Sequence, residues 1–180
     1  MQDSLFSVDP GLDRSYRPVE ALAAPSAAQG WDRVTVYTDG ACRGNPGPGG
    51  WAWAIPGVRG RAGCHPHTTN QRMEVQAALD AMEAVEGPIQ IVSDSTYVVN
   101  CANNKWYVGW LRKGWKNKAG QPVANRDLWE PFIALLTSEP GRVVFRWVKG
   151  HASDPHNNRV DQLAVRASVT QQAWEGVLVA

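Results

Sequence analysis

Asp39, Glu74, Asp94 and Asp161 are the residues whose type and surroundings point most directly to chemistry. Asp39 and Asp94 each follow a short β-branched run, residues 33–38 and 89–92, at the strand end where open α/β sheets build their sites. Carboxylates gathered in one place repel, and they raise one another's pKa unless a cation joins them. An all-oxygen set without Cys or His suits a hard ion such as magnesium. Two such ions roughly 3.5–4 Å apart activate water and stabilise a leaving oxygen in phosphodiester hydrolysis. Each acid alone has a plainer explanation. Glu74 and Asp161 are expected in first helical turns, where the macrodipole favours acids. A strand-end Asp is often a turn residue. Whether the four converge depends on the elements that carry them.

Those elements are legible in outline. Arg33 to Thr38 suits a strand, and residues 44–50 (Gly-Asn-Pro-Gly-Pro-Gly-Gly) form a loop. Trp51 to Ile55 and Gly57 to Gly63 complete an antiparallel meander. Thr68 and Gln71 stand at capping-box spacing ahead of an apolar stripe, Val75, Ala78, Leu79, Met82 and Val85. Gly87-Pro88 stops that helix, Ile89 to Val92 is a strand, and a helix follows from Thr96. Asp127 to Leu136 reads as helix and Val143 to Val148 as strand. His151 to Asn158 reads as a polar loop, and Val160, Leu163, Ala164 and Ala167 line a last helix. The order is β-β-β-α-β-α-(basic insert)-α-β-α, an α/β class with one mixed sheet. A crossover through the first helix makes the Asp39 and Asp94 strands parallel, with both ends on one edge.

Composition bounds the reading. The chain has 180 residues, 43% of them hydrophobic, enough for one core. Net charge is only +1, but the stretch from Lys105 to Arg126 holds six basic groups and no acid, and phosphate attraction is local. Residues 1–30, with Pro10, Pro18 and Pro25 and no sustained periodicity, read as a disordered tail. The domain is expected over 31–172, with order beginning near Trp31, and 173–180 as a C-terminal tail. Cys42, Cys64 and Cys101 fit neither a disulfide framework nor a zinc site, so a reducing, cytoplasmic compartment is expected. No apolar run approaches the roughly 18–20 residues of a membrane span, and no secretory signal is visible.

From Arg33 to Ser168 the chain resembles the type 1 ribonuclease H family, of the bacterial type with a basic protrusion. The motifs are residues 37–50 (Tyr-Thr-Asp-Gly-Ala-Cys-Arg-Gly-Asn-Pro-Gly-Pro-Gly-Gly) and Thr68-Thr69-Asn70-Gln71-Arg72-Met73-Glu74. Ser93-Asp94-Ser95, Gly114-Trp115-Lys116, Asp127-Leu128-Trp129, Val148-Lys149-Gly150-His151-Ala152 and Asn157-Asn158-Arg159-Val160-Asp161 complete the set. The resemblance implies a ribonuclease H-like fold, a five-stranded mixed sheet flanked by helices. It places Asp39, Glu74, Asp94 and Asp161 at a metal site holding two Mg2+ ions, with Mn2+ as a substitute. It implies hydrolysis of the RNA strand of RNA–DNA hybrids to 5′-phosphate and 3′-hydroxyl ends. His151 falls on the family's loop histidine, whose task is proton shuttling or product release.

The resemblance also implies substrate contacts. An enzyme that cuts only RNA must read the 2′-hydroxyl. Asn45, Asn70 and Gln71 match hybrid-contacting positions, and Cys42 and Arg43 lie in the same loop system. Thr69 matches a phosphate contact, beside its plainer role as a helix cap. In the insert, Arg112, Lys113, Lys116 and Lys118 supply phosphate attraction. Trp106, Trp110, Trp115 and Trp129 divide between core packing and substrate, with Trp106 and Trp129 as the expected walls of a DNA-strand channel. Trp115 and Asn125 are further substrate candidates. Asn158 departs from the pattern, standing where some relatives carry a glutamate that modulates metal occupancy. The N-terminal segment does not match the hybrid-binding module of longer relatives. A monomer without an obligate protein partner or a membrane is expected. The competing readings are a catalytically silent hybrid-binding module and a junction resolvase or integrase core.

Overall fold

The computed structural model describes residues 32–150 and 154–178. Expectations for residues 1–30, for Trp31 and for His151 therefore lie outside the described residues. In chain order the elements are β1 (Val34–Cys42), β2 (Gly47–Ile55), β3 (Arg59–Thr68), α1 (Asn70–Ala84), β4 (Ile89–Ser93), α2 (Thr96–Asn103), α3 (Trp106–Arg112), α4 (Arg126–Ser138), β5 (Val143–Trp147), α5 (Pro155–Thr170) and β6 (Trp174–Gly176).

One mixed sheet in the order β5-β4-β1-β2-β3-β6 organises them. The first three strands form the antiparallel meander, while β4 runs parallel to β1 and β5 parallel to β4. The sheet has six strands rather than the expected five. The sixth, Trp174–Gly176, pairs with Gly60–Ala62 of β3 and lies in the stretch read as a C-terminal tail. Leu178, just beyond it, is buried. Three residues are too few for alternation to announce a strand.

Successive strand residues enter opposite faces, so β1 places Val36 in one core and Tyr37 in the other. The larger core packs Trp53, Ile89 and Ile91 of the sheet against Val75, Leu79 and Met82 of α1 and Phe132 of α4. On the second face α5 lays Val160, Leu163, Ala164 and Ala167 against Ala52, Ala54 and Val92. Gly50 makes that approach possible: a Cβ there would run into the Ala164 carbonyl and the Ser168 amide.

Two boundaries differ from the expected ones in ways that matter for the site. Thr69, not Thr68, caps α1, accepting from the Arg72 amide at 3.4 Å, while Thr68 is the last residue of β3. Helix α5 begins at Pro155, with Asp154 as its cap accepting from the amides of His156 and Asn157, so the polar loop ends earlier than expected. The basic insert contains a helix of its own, α3. No helix among the described residues is long and apolar enough to cross a membrane.

Candidate active site

Strand β1 pairs with β4 only over Val34–Tyr37, the last rung being Tyr37 opposite Val92. Asp39 and Asp94 each stand two residues past that rung, on strands running the same way. Asp39 is not past the end of β1, as expected, but inside it, where the strand continues alone against β2. The convergence of the two carboxylates is thus a matter of register. Gly40 lets α1 close over this edge, since a Cβ there would strike the Met73–Glu74 backbone. Asp39, Cys42, Asn70, Glu74, Asp94 and Asp161 then line one open, polar depression.

Glu74 and Asp161 prove not to be first-turn acids, because neither α1 nor α5 carries an acid in its first turn. The macrodipole falls off within one turn, so it does not account for them. Glu74 is held from both sides: Asn70 Nδ2 donates to Oε1 at 2.9 Å and Ser95 Oγ to Oε2 at 2.6 Å. Asn157 Nδ2 donates to Asp94 Oδ2 at 3.3 Å. Asn157 is buried, and its Oδ1 has no partner among the described residues. The sequence reading gave Ser95 and Asn157 no role. Ser95 was findable, since it also caps α2 by accepting from the Val98 amide at 3.2 Å. Asn157 was hidden by its assignment to the loop.

Electrostatics make the depression a cation site in character. Asp39 is 7% exposed, and its carboxyl is pushed up to about 8 by burial and by the charges of Asp94, Asp161 and Glu74. Burial also raises Glu74, against the opposing pull of its Ser95 and Asn70 bonds. The donor set is wholly oxygen and so fits a hard divalent cation. Among the described residues no group of three or more His, Cys, Asp or Glu side chains stands close enough together to hold a metal ion as placed, although four of the acids line the one depression. One consequence can be measured. A raised carboxyl favours the folded state below the ordinary carboxylate range, and that contribution is lost as pH rises through the folded value. In chelator the melting temperature is therefore expected to fall as pH climbs from about 4 towards about 8, and magnesium is expected to restore most of the loss near pH 8. A melting temperature independent of both pH and magnesium would contradict the repulsion at Asp39.

The substrate candidates distribute unevenly. Arg43, Asn45 and Gln71 are exposed beside the depression, and Asn45 Oδ1 accepts from the Asn70 amide at 3.1 Å. Cys42 lines the depression, its thiol 3.3 Å from the Thr68 carbonyl. Arg112, Lys113 and Lys116 are exposed, and Trp106 is 38% exposed. Asn125 caps α4 in a left-handed conformation, its amide between Arg72 and the Tyr97 hydroxyl. Trp129 corrects an expectation: it is fully buried, its indole donating to the Tyr97 hydroxyl at 3.0 Å, and it cannot wall a channel. It is instead the base of an aromatic relay. Trp110 packs on Trp129 at 5.6 Å between ring centroids, Trp115 on Trp110 at 6.3 Å, and the Arg126 guanidinium lies 5.0 Å over Trp115. Helix α3 buries no residue fully, so this relay, together with Tyr107 and the buried Val123, ties the basic insert to the core.

Comparison with known proteins bears on the whole of this architecture. A family model described as RNase H matches residues 32–169. A ribonuclease H of Nitratidesulfovibrio vulgaris is 50% identical over 137 residues, covering 73% of this chain and 86% of the relative. One of Chlorobaculum parvum is 45% identical over 145 residues, covering 78% and 97%. Among solved structures, LC9-RNase H1, described as a type 1 RNase H with the type 2 active-site motif, superposes with a TM-score of 0.66 at 30% identity, covering 77% of this chain and 73% of that one.

Proposed function

The chain belongs to the ribonuclease H family and is a ribonuclease H enzyme, and from that premise we propose that it hydrolyses the RNA strand of RNA–DNA hybrids with two magnesium ions, leaving 5′-phosphate and 3′-hydroxyl ends. The observation that carries the reading is the set of four carboxylates from β1, α1, the β4 end and α5 lining one depression, with Asp39 held far above its ordinary pKa by burial and by the other three.

The family uses divalent metal ions. Asp39, Glu74, Asp94 and Asp161 are the residues that would hold them here. Bound there, such cations supply a lowered water pKa and charge neutralisation at the attacking and leaving oxygens. The chain's own groups do the positioning. Ser95 and Asn70 fix the two oxygens of Glu74, and Asn157 orients Asp94. In this reading Asn45 and Gln71 meet the sugar edge, where the 2′-hydroxyl separates RNA from DNA. Arg112, Lys113 and Lys116 draw the phosphate backbone without reading sequence. In this reading His151 moves a proton or helps product leave. Magnesium is preferred to manganese on the hardness of the donors alone, and both accept oxygen ligands.

A labelled RNA–DNA hybrid, incubated with magnesium beside duplex DNA and duplex RNA, tests the proposal. Only the hybrid should be cut, the downstream fragments should be ligatable without added kinase, and chelator should stop the reaction. Equal cutting of all three duplexes would sink the substrate assignment. Tight hybrid binding with no cleavage in magnesium or manganese would favour the silent binding module instead.

A further inference from the structure

Trp147 is the last residue of β5, opposite Ser93 in the ladder. Alternation puts it on the same face as Val143 and Phe145. Those two belong to the larger core, Phe145 packing on Phe132 at 5.6 Å. Trp147 runs past the edge of that core and is 50% exposed. So large a ring, left half in water at the end of an edge strand, gains little from burial. What it does make is one hydrogen bond: its Nε1 donates to the Asp94 carbonyl at 3.0 Å.

That carbonyl falls between two hydrogen-bond systems. The strand pairing ends at Ser93, whose carbonyl accepts from the Val148 amide at 3.1 Å. The bonds of α2 begin at Ser95, whose carbonyl accepts from Val99 at 3.0 Å. Among the described residues neither system takes up the Asp94 carbonyl; the other end of the same peptide, the Ser95 amide, donates to Ser93 Oγ at 3.2 Å, and the Trp147 indole holds the carbonyl end. The carboxylate end is held separately, by Asn157, and Gly150 presses so close that a Cβ there would meet Oδ2.

We propose that Trp147 is a positioning residue for the metal centre: its indole N–H fixes the Asp94 peptide and thereby the direction in which the Asp94 carboxylate points. The proposal rests on the reading of Asp94 as a metal ligand. The ring is exposed because its task is to bring a donor from the sheet edge to the strand-to-helix turn.

Trp147→Phe keeps the ring and removes the donor. Magnesium binding to the free protein, by titration calorimetry, should weaken about three- to tenfold, the range of one neutral hydrogen bond. On the hybrid, kcat should fall by a similar factor while KM and the melting temperature hold. Unchanged magnesium binding with a raised KM would make Trp147 a substrate contact and overturn the proposal. A parallel fall of every quantity with the melting temperature would make it a fold residue, with the same result. Asp94→Asn in the same titration separates the two levels. If it leaves magnesium binding intact, the metal-ligand reading fails. If it weakens binding while Trp147→Phe does not, only the role of Trp147 fails.

Discussion

Asp39→Asn should abolish turnover and, in the same molecule, stabilise the metal-free protein. Both effects come from one carboxylate. Burial, and then the field of Asp94, Asp161 and Glu74, push its pKa up to about 8. On the proposed ligand role, removing the charge removes a metal ligand, and turnover is expected to drop by about a thousandfold or more. It also removes the repulsion that the folded state carries once Asp39 ionises. Near pH 9 in chelator the variant should melt at least about 3 °C above the parent. Near pH 4 the parent Asp39 is protonated, and the difference should vanish. Added magnesium should raise the parent's melting temperature and leave that of the variant much less changed. A variant that keeps turnover would remove Asp39 from the ligand set. One that loses turnover but gains no stability at high pH would leave the ligand role standing and refute the electrostatic account.

Trp129→Ala is expected to be the most destabilising single change in the insert region. The side chain is fully buried, with Phe132 at 5.0 Å, Tyr97 at 5.2 Å and Trp110 at 5.6 Å between ring centroids. Truncating a buried aromatic to alanine costs about 3–5 kcal/mol. The Tyr97 hydroxyl loses its indole partner as well. Urea unfolding should register that loss, and α3 should become more open to proteolysis because its aromatic relay has lost its base. Trp106→Ala, at an exposed ring, should change stability by less than about 1 kcal/mol. If the two variants were equally stable, Trp129 would not be the anchor described.

How far the sequence could be read follows from what each feature depends on. Asp39 and Asp94 were legible because strand direction and a crossover rule suffice to bring two strand ends to one edge. Glu74 and Asp161 were not, because their placement depends on where a helix starts. The cap at Asp154 starts α5 early enough to move Asp161 into the second turn, and Glu74 lies beyond the first turn of α1, so both are out of reach of the dipole explanation. The grouping of all four therefore rests on family motifs, and the fold adds the shared depression that they line. Trp129 shows a different limit. Trp106, Trp110, Trp115 and Trp129 share a composition that suits either a core or a nucleic-acid wall, and periodicity around a glycine-broken insert cannot divide them. Only packing separates the buried Trp129 from the half-exposed Trp106. Strand β6 was missed for want of length, and the bond from Trp147 to Asp94 because it joins residues distant in sequence.

The placement of Asp161 on α5 bears on when the molecule can act. Three of its acids belong to segments complete by residue 94, whereas the fourth arrives on a helix that also closes the second face of the sheet. During synthesis a domain folds as a unit, once enough of its chain is available. A nascent chain that ends at β5 has β1 to β5 and the residues of the first core but lacks β6, the last acid and the cover over Ala52, Ala54 and Val92. Nuclease competence and burial of the second face are thus acquired in one late event. A ribosome stalled before residue 161 would carry an inert, sticky intermediate and not a premature nuclease.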